Sequence, residues 1–351
     1  MGARVSVLES QCLFFDALMH QPEVWKSKVL GTLCFSSTPL DVHFDVPFVR
    51  VPMTTLAEIN LSSIESVQPD AGCEVWLSGA ELIAGQHQAI RYRHDGNTLF
   101  GIIQLEESVL ETDPASPLQQ TTERAYRQIF ELLDKLGYPF VYRFWNYMAD
   151  INGYSHGLER YRQFNLGRQD AFIASARDVA GNVPAACALG AADGPLTIAF
   201  LAGHTPPLAI ENPRQLSAYE YPQNYGPRSP TFSRASLVRT GTDDVLFVSG
   251  TASIVGHVTV HPADVAAQTR ETLVNIAAIV KAANDQLGQP SFTLGNLFYR
   301  VYVRQSNDLD IIRNVMMDQI GVPFQAVFLQ ADVCRQDLLI EIEATASQPV
   351  K

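Results

Sequence analysis

The sequence lacks the common signatures of metal, nucleotide and hydrolase sites. Its five cysteines are widely spaced and include no C-x-x-C pair. That pattern fits neither a disulfide framework nor a zinc site, and it indicates a reducing compartment. The eight histidines include no pair at metal-ligand spacing, and there is no P-loop, Rossmann fingerprint or G-x-S-x-G motif. These absences predict chemistry that uses no metal and no cofactor.

Long apolar runs and positive charge are also scarce. No apolar run approaches the length that spans a bilayer, and residues 1–5 do not begin a signal-peptide pattern. The net charge is −12, and an acidic chain is repelled by nucleic acid and by anionic membrane surfaces. We therefore expect a cytoplasmic protein without a nucleic-acid or membrane partner. A small anionic ligand stays compatible with this charge, because a local arginine cluster outweighs the global charge at short range.

What the chain does have is length and a repeated order of elements. Its 351 residues, 46% of them apolar, are enough for two ordinary domains. Hydrophobic periodicity predicts two helices around a central strand in each half of the chain. The segments are helix 121–136, strand 138–147 and helix 157–177, then helix 264–287, strand 294–304 and helix 308–320.

Two tandem units follow from this order. Further strands precede and follow the helices in each half, and the Pro-rich segment 206–230 separates the halves. We predict an α+β fold in which residues 1–205 and 206–351 each form a mixed β-sheet with helices packed on one face.

The last predicted strand, residues 338–345, places two carboxylates on one side. Side chains alternate along a strand, so Ile340, Ile342 and Ala344 share a core face. Glu341 and Glu343 then lie on the opposite face. That face is either a solvated surface, which is the common place for glutamate, or the floor of a site.

An arginine-rich helix precedes the middle of the chain. In the predicted helix, Arg160, Phe164 and Arg168 recur at i, i+4 and i+8 and so lie along one face. Two guanidiniums beside a ring can receive a carboxylate. The alternative is a solvated helix on which these arginines pair with Glu159 and Asp170.

Two loops offer further contact groups. The segment 219–234 is stiffened by prolines and presents Tyr219, Tyr225 and Arg228, which suits ligand binding because a rigid loop loses little entropy. The same segment, 219–234, is equally typical of an interdomain linker. In the segment 249–253, Ser-Gly-Thr-Ala-Ser, small residues let a ligand approach the backbone, although many β-turns look the same.

Taken together, these segments resemble the chorismatase family. The resemblance rests on Arg143-Phe-Trp-Asn-Tyr147, Gly157-Leu-Glu-Arg-Tyr-Arg-Gln-Phe164, Tyr225-Gly-Pro-Arg-Ser-Pro230, the segment 249–253, and Cys334 seven residues before Glu341. It runs from about residue 138 to the end. The second half, above all residues 340–344, also resembles the small trimeric imine deaminases, so the resemblance implies YjgF-like, or chorismate-mutase-like, units.

The resemblance implies a reaction and a set of site residues. Chorismatases release pyruvate from chorismate, and the general acid that protonates the terminal methylene carbon is expected at Glu341. Burial between apolar neighbours would keep that carboxyl protonated. The site is expected between the C-terminal sheet and the segment 143–168. The implied substrate-binding residues are Arg160, Tyr219, Arg228, Gly250, Thr251 and Arg304, with Arg168 as an alternative cation.

Cys334 decides between two branches of the family. A cysteine here resembles the branch that forms 3-hydroxybenzoate, with 4-hydroxybenzoate as a potential co-product, through attack of the substrate's own 4-hydroxyl and an arene oxide. Cys334 would then assist aromatisation. The hydrolytic branch, which gives a dihydroxycyclohexadiene carboxylate, is the first alternative, and Cys334 would then be a small buried hydrophobe.

Other classes of function also remain open at this point. Since fold does not fix function, a ligand-binding or imine-deaminase-like protein is one of them. A purely structural oligomer fits the arginine-rich, aromatic segment less well. Both a monomer and a homotrimer are compatible with two such units in one chain.

Overall fold

The structure, a computed structural model, describes residues 8–41, 45–59, 71–108 and 115–350. Before residue 106 these contain the helices α1 (Phe15–Met19) and α2 (Glu23–Lys26) and the following strands: β1 (Leu8–Phe14), β2 (Val29–Phe35), β3 (Phe48–Val51), β4 (Thr54–Ile59), β5 (Gly72–Ser78), β6 (Ile83–His87), β7 (Ile90–His94) and β8 (Thr98–Leu105).

The middle of the chain holds α3 (Pro117–Leu136), α4 (Arg160–Ala174) and the strands β9 (Phe140–Ala149), β10 (Tyr154–Ser155), β11 (Leu158–Glu159), β12 (Ala185–Ala191), β13 (Leu196–Gly203) and β14 (Leu208–Ile210). The last part holds α5 (Val265–Leu287), α6 (Leu309–Ile320) and the strands β15 (Ala235–Thr240), β16 (Asp243–Thr251), β17 (Ile254–Val255), β18 (Val258–Thr259), β19 (Phe298–Val303), β20 (Gln325–Gln330) and β21 (Ile340–Pro349).

Local sequence explains where the long helices begin and end. The Ser116 side chain caps α3 by accepting from the Gln119 amide, and Gly137 ends the helix with a φ of 76°. Asp264 caps α5 in the same way, and Gly288 ends it with a φ of 68°. Helix α3 begins four residues before its predicted start, because its first turn comes from the Pro-containing segment.

Two sheets share one strand order, which confirms the prediction of tandem units. The first sheet runs β12-β9-β13-β8-β7-β6, and the second runs β14-β15-β16-β21-β19-β20-β4. Within them, the order β12-β9-β13-β8-β7 corresponds strand for strand to β20-β19-β21-β16-β15. The parallel pair also occurs at the same place, as β9 with β12 and as β19 with β20.

The inner faces of these two sheets meet a third sheet in one shared core, and helices cover their outer faces. The core is rich in aromatic side chains and includes Trp76 of β5, Trp145, Phe247 and Tyr302. Helices α3 and α4 lie over the first sheet and α5 and α6 over the second, each above its own apolar cluster. Strand β4 extends the second sheet by pairing with β20, so the chain crosses from the predicted first domain into the second. The boundary at residues 205 and 206 stays a prediction.

A third, four-stranded sheet, β1-β5-β2-β3, corrects one prediction. Cys34 and Cys73 form a disulfide, with their Cα atoms 4.0 Å apart, whereas the spacing of the cysteines predicted none. The reason is cross-strand pairing, since the two residues stand directly opposite each other in β2 and β5. A sequence separation of 39 residues gave no sign of this contact. None of the helices in the described ranges is long and apolar enough to span a membrane.

Candidate active site

A cavity of about 760 Å³ opens where the edge strand β12 of the first sheet approaches β16 and β21 of the second. Its floor includes Cys187, Gly250 and Glu341, and Cys334 lies in the loop that leads into β21. The N-terminal part of α4 forms one wall, and the segment 221–234 forms another. The cavity therefore lies between the C-terminal sheet and part of the segment 143–168, in the region that the resemblance implied.

Glu341 is the buried acid of this cavity. It is only 4% exposed, and burial, followed by the negative charge of Glu343, raises its pKa to about 8, although Arg143 opposes the shift. The strand alternation explains the position, since Ile340 and Ile342 are buried in the core beneath α5 and α6. Glu341 thus carries its proton at neutral pH.

Gly250 makes room for that carboxyl group. It lies at an irregularity of β16, where the pairing with β21 shifts between Val248 and Thr251. A Cβ atom at position 250 would collide with Oε1 of Glu341. Glycine is therefore required here by the close approach of an acid from the neighbouring strand.

Cys334 is the direct neighbour of the acid. Its thiol donates to Oε2 of Glu341 over 3.8 Å, and burial raises the pKa of the thiol well above its ordinary value. Cys334 is therefore a neutral thiol beside a neutral carboxyl. Tyr161 from α4 is partly buried in the same region, where desolvation and the nearby Cys334 raise the pKa of its hydroxyl.

The cavity wall also carries a buried cation, Arg168. Its guanidinium lies 5.2 to 5.4 Å from the ring centroids of Tyr126, Phe144 and Phe172. Among the described residues, none offers a hydrogen-bond partner to Nε or Nη2 of Arg168. Burial lowers the pKa of this guanidinium, but arginine stays charged in proteins. A buried guanidinium with free donors is suited to an anion.

Two further arginines line the opposite wall. The Arg335 guanidinium stacks 4.2 Å from the ring centroid of Tyr225 and donates from Nη1 to the His257 carbonyl over 3.0 Å. Arg234 donates from Nη2 to the Tyr221 hydroxyl over 2.9 Å, and its Nε has no partner among the described residues. Positive charge is therefore available on two sides of the cavity.

Four of the implied site residues line the cavity, namely Gly250, Cys334, Glu341 and the alternative cation Arg168. The three implied arginines outside the lining have other partners. Arg160 pairs with Glu107, and the closest acid to Arg228 is Asp170 at 3.8 Å.

The remaining implied residues also lie off the cavity lining. Arg304 donates to the backbone carbonyls of Val333, Arg335 and Leu338. Thr251 bonds to the Ser249 carbonyl, and Tyr219 is in a short 3₁₀ turn outside the lining.

Residue patterns missed part of the lining. Tyr161, Arg162, Cys187, Tyr221, Arg234 and Arg335 all line the cavity. Two of them had a local signal, because Arg335 directly follows Cys334 and Arg234 ends the Pro-rich loop. Tyr161 and Arg162 lie in the quoted segment 157–164 and Tyr221 in the segment 219–234, so their segments were predicted although their own roles were not. Cys187 reaches the cavity through contacts that only the tertiary fold creates.

Comparison with known proteins covers nearly the whole chain. A family model described as Chorismatase FkbO/Hyg5-like, N-terminal, matches residues 74–202, and one described as Endoribonuclease L-PSP matches residues 230–348. The chain is 37% identical over 300 residues to a 3-hydroxybenzoate synthase of Streptomyces hygroscopicus, covering 82% of this chain and 84% of that protein. It is also 37% identical to a chorismatase of Streptomyces rapamycinicus, over 80% of this chain and 84% of that protein.

A solved structure agrees with these relatives. The crystal structure of a chorismatase matches this chain with a TM-score of 0.84 and 30% sequence identity, over 98% of this chain and all of that chain. The L-PSP match confirms the YjgF-like fold predicted for the C-terminal half. From the length and identity of these matches, the chain belongs to the chorismatase family.

Proposed function

We propose that this protein converts chorismate to 3-hydroxybenzoate and pyruvate. The observation that carries the proposal is Glu341, a buried carboxyl that keeps its proton at neutral pH in a cavity whose walls carry arginines. An enol ether is cleaved after protonation of its carbon, and a carboxylic acid that is still protonated near pH 7 supplies that proton. The related protein of Streptomyces hygroscopicus is named a 3-hydroxybenzoate synthase.

The two carboxylates of chorismate would be held by arginines of the cavity wall. We assign one to Arg168, whose Nε and Nη2 have no protein partner among the described residues. We assign the other to Arg335 or Arg234 on the opposite wall. In the described part of the chain no arginine forms an ion pair with Glu341, so the clamping cations need not ionise the acid.

The chemical steps balance without an added reactant. Glu341 gives its proton to the terminal methylene of the enolpyruvyl group, and the C3–O bond then breaks, which releases pyruvate and leaves the positive charge on ring carbon C3. The neighbouring 4-hydroxyl oxygen attacks ring carbon C3 and forms an arene oxide, and its proton returns to the Glu341 carboxylate. Opening of the oxide at C4 and loss of the hydrogen on C3 give 3-hydroxybenzoate.

A role for Cys334 in favouring aromatisation over hydrolysis is part of the proposal. The proposal is that its neutral thiol, 3.8 Å from Oε2 of Glu341, fills the position from which a water molecule would add to the ring. The same thiol can exchange a proton with the oxide oxygen while the ring aromatises. 4-Hydroxybenzoate is expected as the minor product, from opening of the same oxide at the other carbon.

One chromatographic experiment tests this function. The purified protein is incubated with chorismate, without added metal or nucleotide, and the products are separated and quantified. We expect 3-hydroxybenzoate with equimolar pyruvate. A non-aromatic diol would reject the proposed branch in favour of hydrolysis, and unconsumed chorismate would reject the proposed function as a whole.

A single chain supplies both walls of the cavity, one from each unit. This supports the proposal that a monomer is active, with a homotrimer as the alternative, and light scattering after size-exclusion chromatography distinguishes them. The expected cytoplasmic location stays a prediction.

A further inference from the structure

A buried group of four charges lies next to the acid. Glu343 pairs with both Arg143 and Arg300, and Arg300 also pairs with Glu74. All four side chains are at most 5% exposed. The two arginines and two glutamates, which we call the charge quartet, sum to zero.

The quartet draws on three sheets. Arg143 is in β9 of the first sheet, Glu343 and Arg300 are in β21 and β19 of the second, and Glu74 is in β5 of the third. Hydroxyl groups complete it, because Tyr302 donates to Glu343 over 2.9 Å and Arg300 donates to the Tyr147 hydroxyl over 2.9 Å. Taking four charges out of water costs desolvation energy that their pairing must offset. The quartet is therefore weak evidence for added stability.

Strand geometry connects the quartet to the cavity. Glu343 follows Glu341 by two positions on the same face of β21, which places the two side chains roughly 7 Å apart. Burial opposes ionisation of Glu343, but Arg300 and Arg143 hold its pKa below its ordinary value. The ionised carboxylate of Glu343 thus lies next to Glu341 on the same face of β21.

Other groups near Glu341 contribute less charge. The titratable and charged side chains that act on it from its own strand and from the loops, helix and strands around it are Glu343, Cys334, Arg143, Arg304, Cys187 and Tyr161. The thiols and the phenol are neutral because burial raises the pKa of each. Arg304 is matched by Asp332 at 2.5 Å. Glu343 and Arg143 are the charges left to act on Glu341 in opposite directions.

We propose that the charge quartet is a positioning device for the general acid, in which ionised Glu343 keeps the proton on Glu341 while Arg143 and Arg300 keep Glu343 ionised. The role as general acid rests on the proposed function, but the proton affinity of Glu341 is a property of the free protein. This role requires that the four charges of the quartet sum to zero. Loss of either negative charge would leave an arginine unbalanced, and Glu341 would ionise to balance it.

Infrared spectroscopy tests the proposal without substrate. The carboxylic-acid carbonyl band of Glu341 is isolated by subtracting the spectrum of the Glu341→Gln protein, and its midpoint is followed with pH. We expect Glu343→Gln to lower that midpoint and Arg143→Gln to raise it, each by about one pH unit, since a nearby charge has been removed in each case. A merely structural role predicts no such opposite shifts.

Further variants keep the test decisive. Glu74→Gln, which acts through Arg300, should lower the midpoint by less than Glu343→Gln does. Asp285→Asn, on the exposed side of α5, is the matched control and should leave it unchanged. Midpoints that stay equal, or that move in the same direction in the Glu343 and Arg143 variants, would overturn the proposal.

The unchanged protein gives an answer even if the quartet variants do not fold. A midpoint for Glu341 in the ordinary range of a glutamate would overturn the proposal directly. Chorismate turnover is measured separately. A protein that fails to consume chorismate but shows the expected midpoints would reject the proposed function and leave the quartet's role standing.

Discussion

Glu341 and Glu343 are chemically identical side chains two positions apart, and their surroundings drive them to opposite protonation states. Glu343 meets two guanidiniums and a tyrosine hydroxyl, so it is ionised. Glu341 meets a thiol and the backbone at Gly250, so burial keeps its proton in place. The difference arises from partners and not from exposure, since both are 4% exposed.

A first prediction concerns stability at Glu341. A glutamate ionises near pH 4.5 in the unfolded chain and near pH 8 here. Between these values the folded state binds more protons, so this group lowers the stability of the fold as pH rises, up to about pH 8. Glu341→Gln should abolish turnover yet raise the free energy of unfolding at pH 7 by on the order of 3 kcal/mol, measured by denaturant unfolding.

The matched control is Glu343→Gln, for which the sign reverses. The pKa of Glu343 is lowered in the folded state, so its charge stabilises the fold above the ordinary pKa, and its removal should be destabilising. Normal turnover by Glu341→Gln would remove Glu341 from the mechanism.

The wild-type pH profile gives a second prediction. Under the proposed mechanism the protonated form of Glu341 is the active one, so turnover should fall as pH rises through about 8. The check is initial pyruvate release between neutral and alkaline pH. A rate that keeps rising through this range would show that the ionised form works.

Cys334→Ala is the third prediction. The change should shift the product from 3-hydroxybenzoate toward the dihydroxycyclohexadiene carboxylate, because a smaller side chain admits water beside Glu341. Cys187→Ala alters another cysteine of the same cavity and should keep the aromatic product. Chromatography of the products measures both, and an unchanged ratio in Cys334→Ala would reduce Cys334 to a packing role.

At the scale of single residues, some residues of the site could be predicted from the sequence and others could not. Strand alternation placed Glu341 off the core face, and helical spacing placed Arg168 on one face of its helix. By contrast, Arg160 binds Glu107, which lies 53 positions away in the chain. Arg304 binds backbone carbonyls that lie 29 to 34 positions away. No local pattern shows whether a guanidinium is already occupied by such a partner.

Among the elements, the irregularity in β16 determines how closely the acid can approach. Gly250→Ala is the fourth prediction. Its methyl group would displace the Glu341 carboxyl, and a misplacement of about 1 Å costs on the order of 100-fold in rate, measured as kcat. Gly250→Ala combined with Glu341→Asp should recover part of the loss, because the shorter acid leaves space; a double variant below both single variants would contradict this account.

Arg304 fixes the shape of the loop that contains Cys334. By donating to three carbonyls of residues 333–338, it holds Cys334 and Arg335 at the cavity. This kind of contact explains why element order was predictable and loop placement was not. Alternation and periodicity report on one strand or helix, whereas the 333–338 loop takes its shape from the side chain of Arg304, the residue after β19.

The whole molecule depends on contacts between units, which leads to the fifth prediction. A fragment of residues 206–351 keeps Glu343 but loses Arg143 and Glu74 from the charge quartet, and it loses β4 from the edge of its sheet. We expect it to aggregate or oligomerise. Size-exclusion chromatography with circular dichroism is the check, and a monomer with cooperative unfolding would show that the C-terminal unit is self-sufficient.

At this largest scale the tandem architecture was predictable, because both halves of the sequence repeat one order of strands and helices. The packing of the sheets around one shared core was not, and neither was the entry of β4 into the C-terminal sheet. Both depend on apolar surfaces meeting across long stretches of chain.

The shared strand order has a consequence for how such a protein can change over time. Strand β13 (Leu-Thr-Ile-Ala-Phe-Leu-Ala-Gly) occupies the place that β21 has in the other unit, and it carries no acid. In an assembly of identical subunits, every substitution appears in every copy. Here each unit is encoded by its own part of the gene, so a substitution in one unit leaves the other unchanged. The C-terminal unit could therefore acquire the catalytic acid while the N-terminal unit contributed only a wall of the cavity.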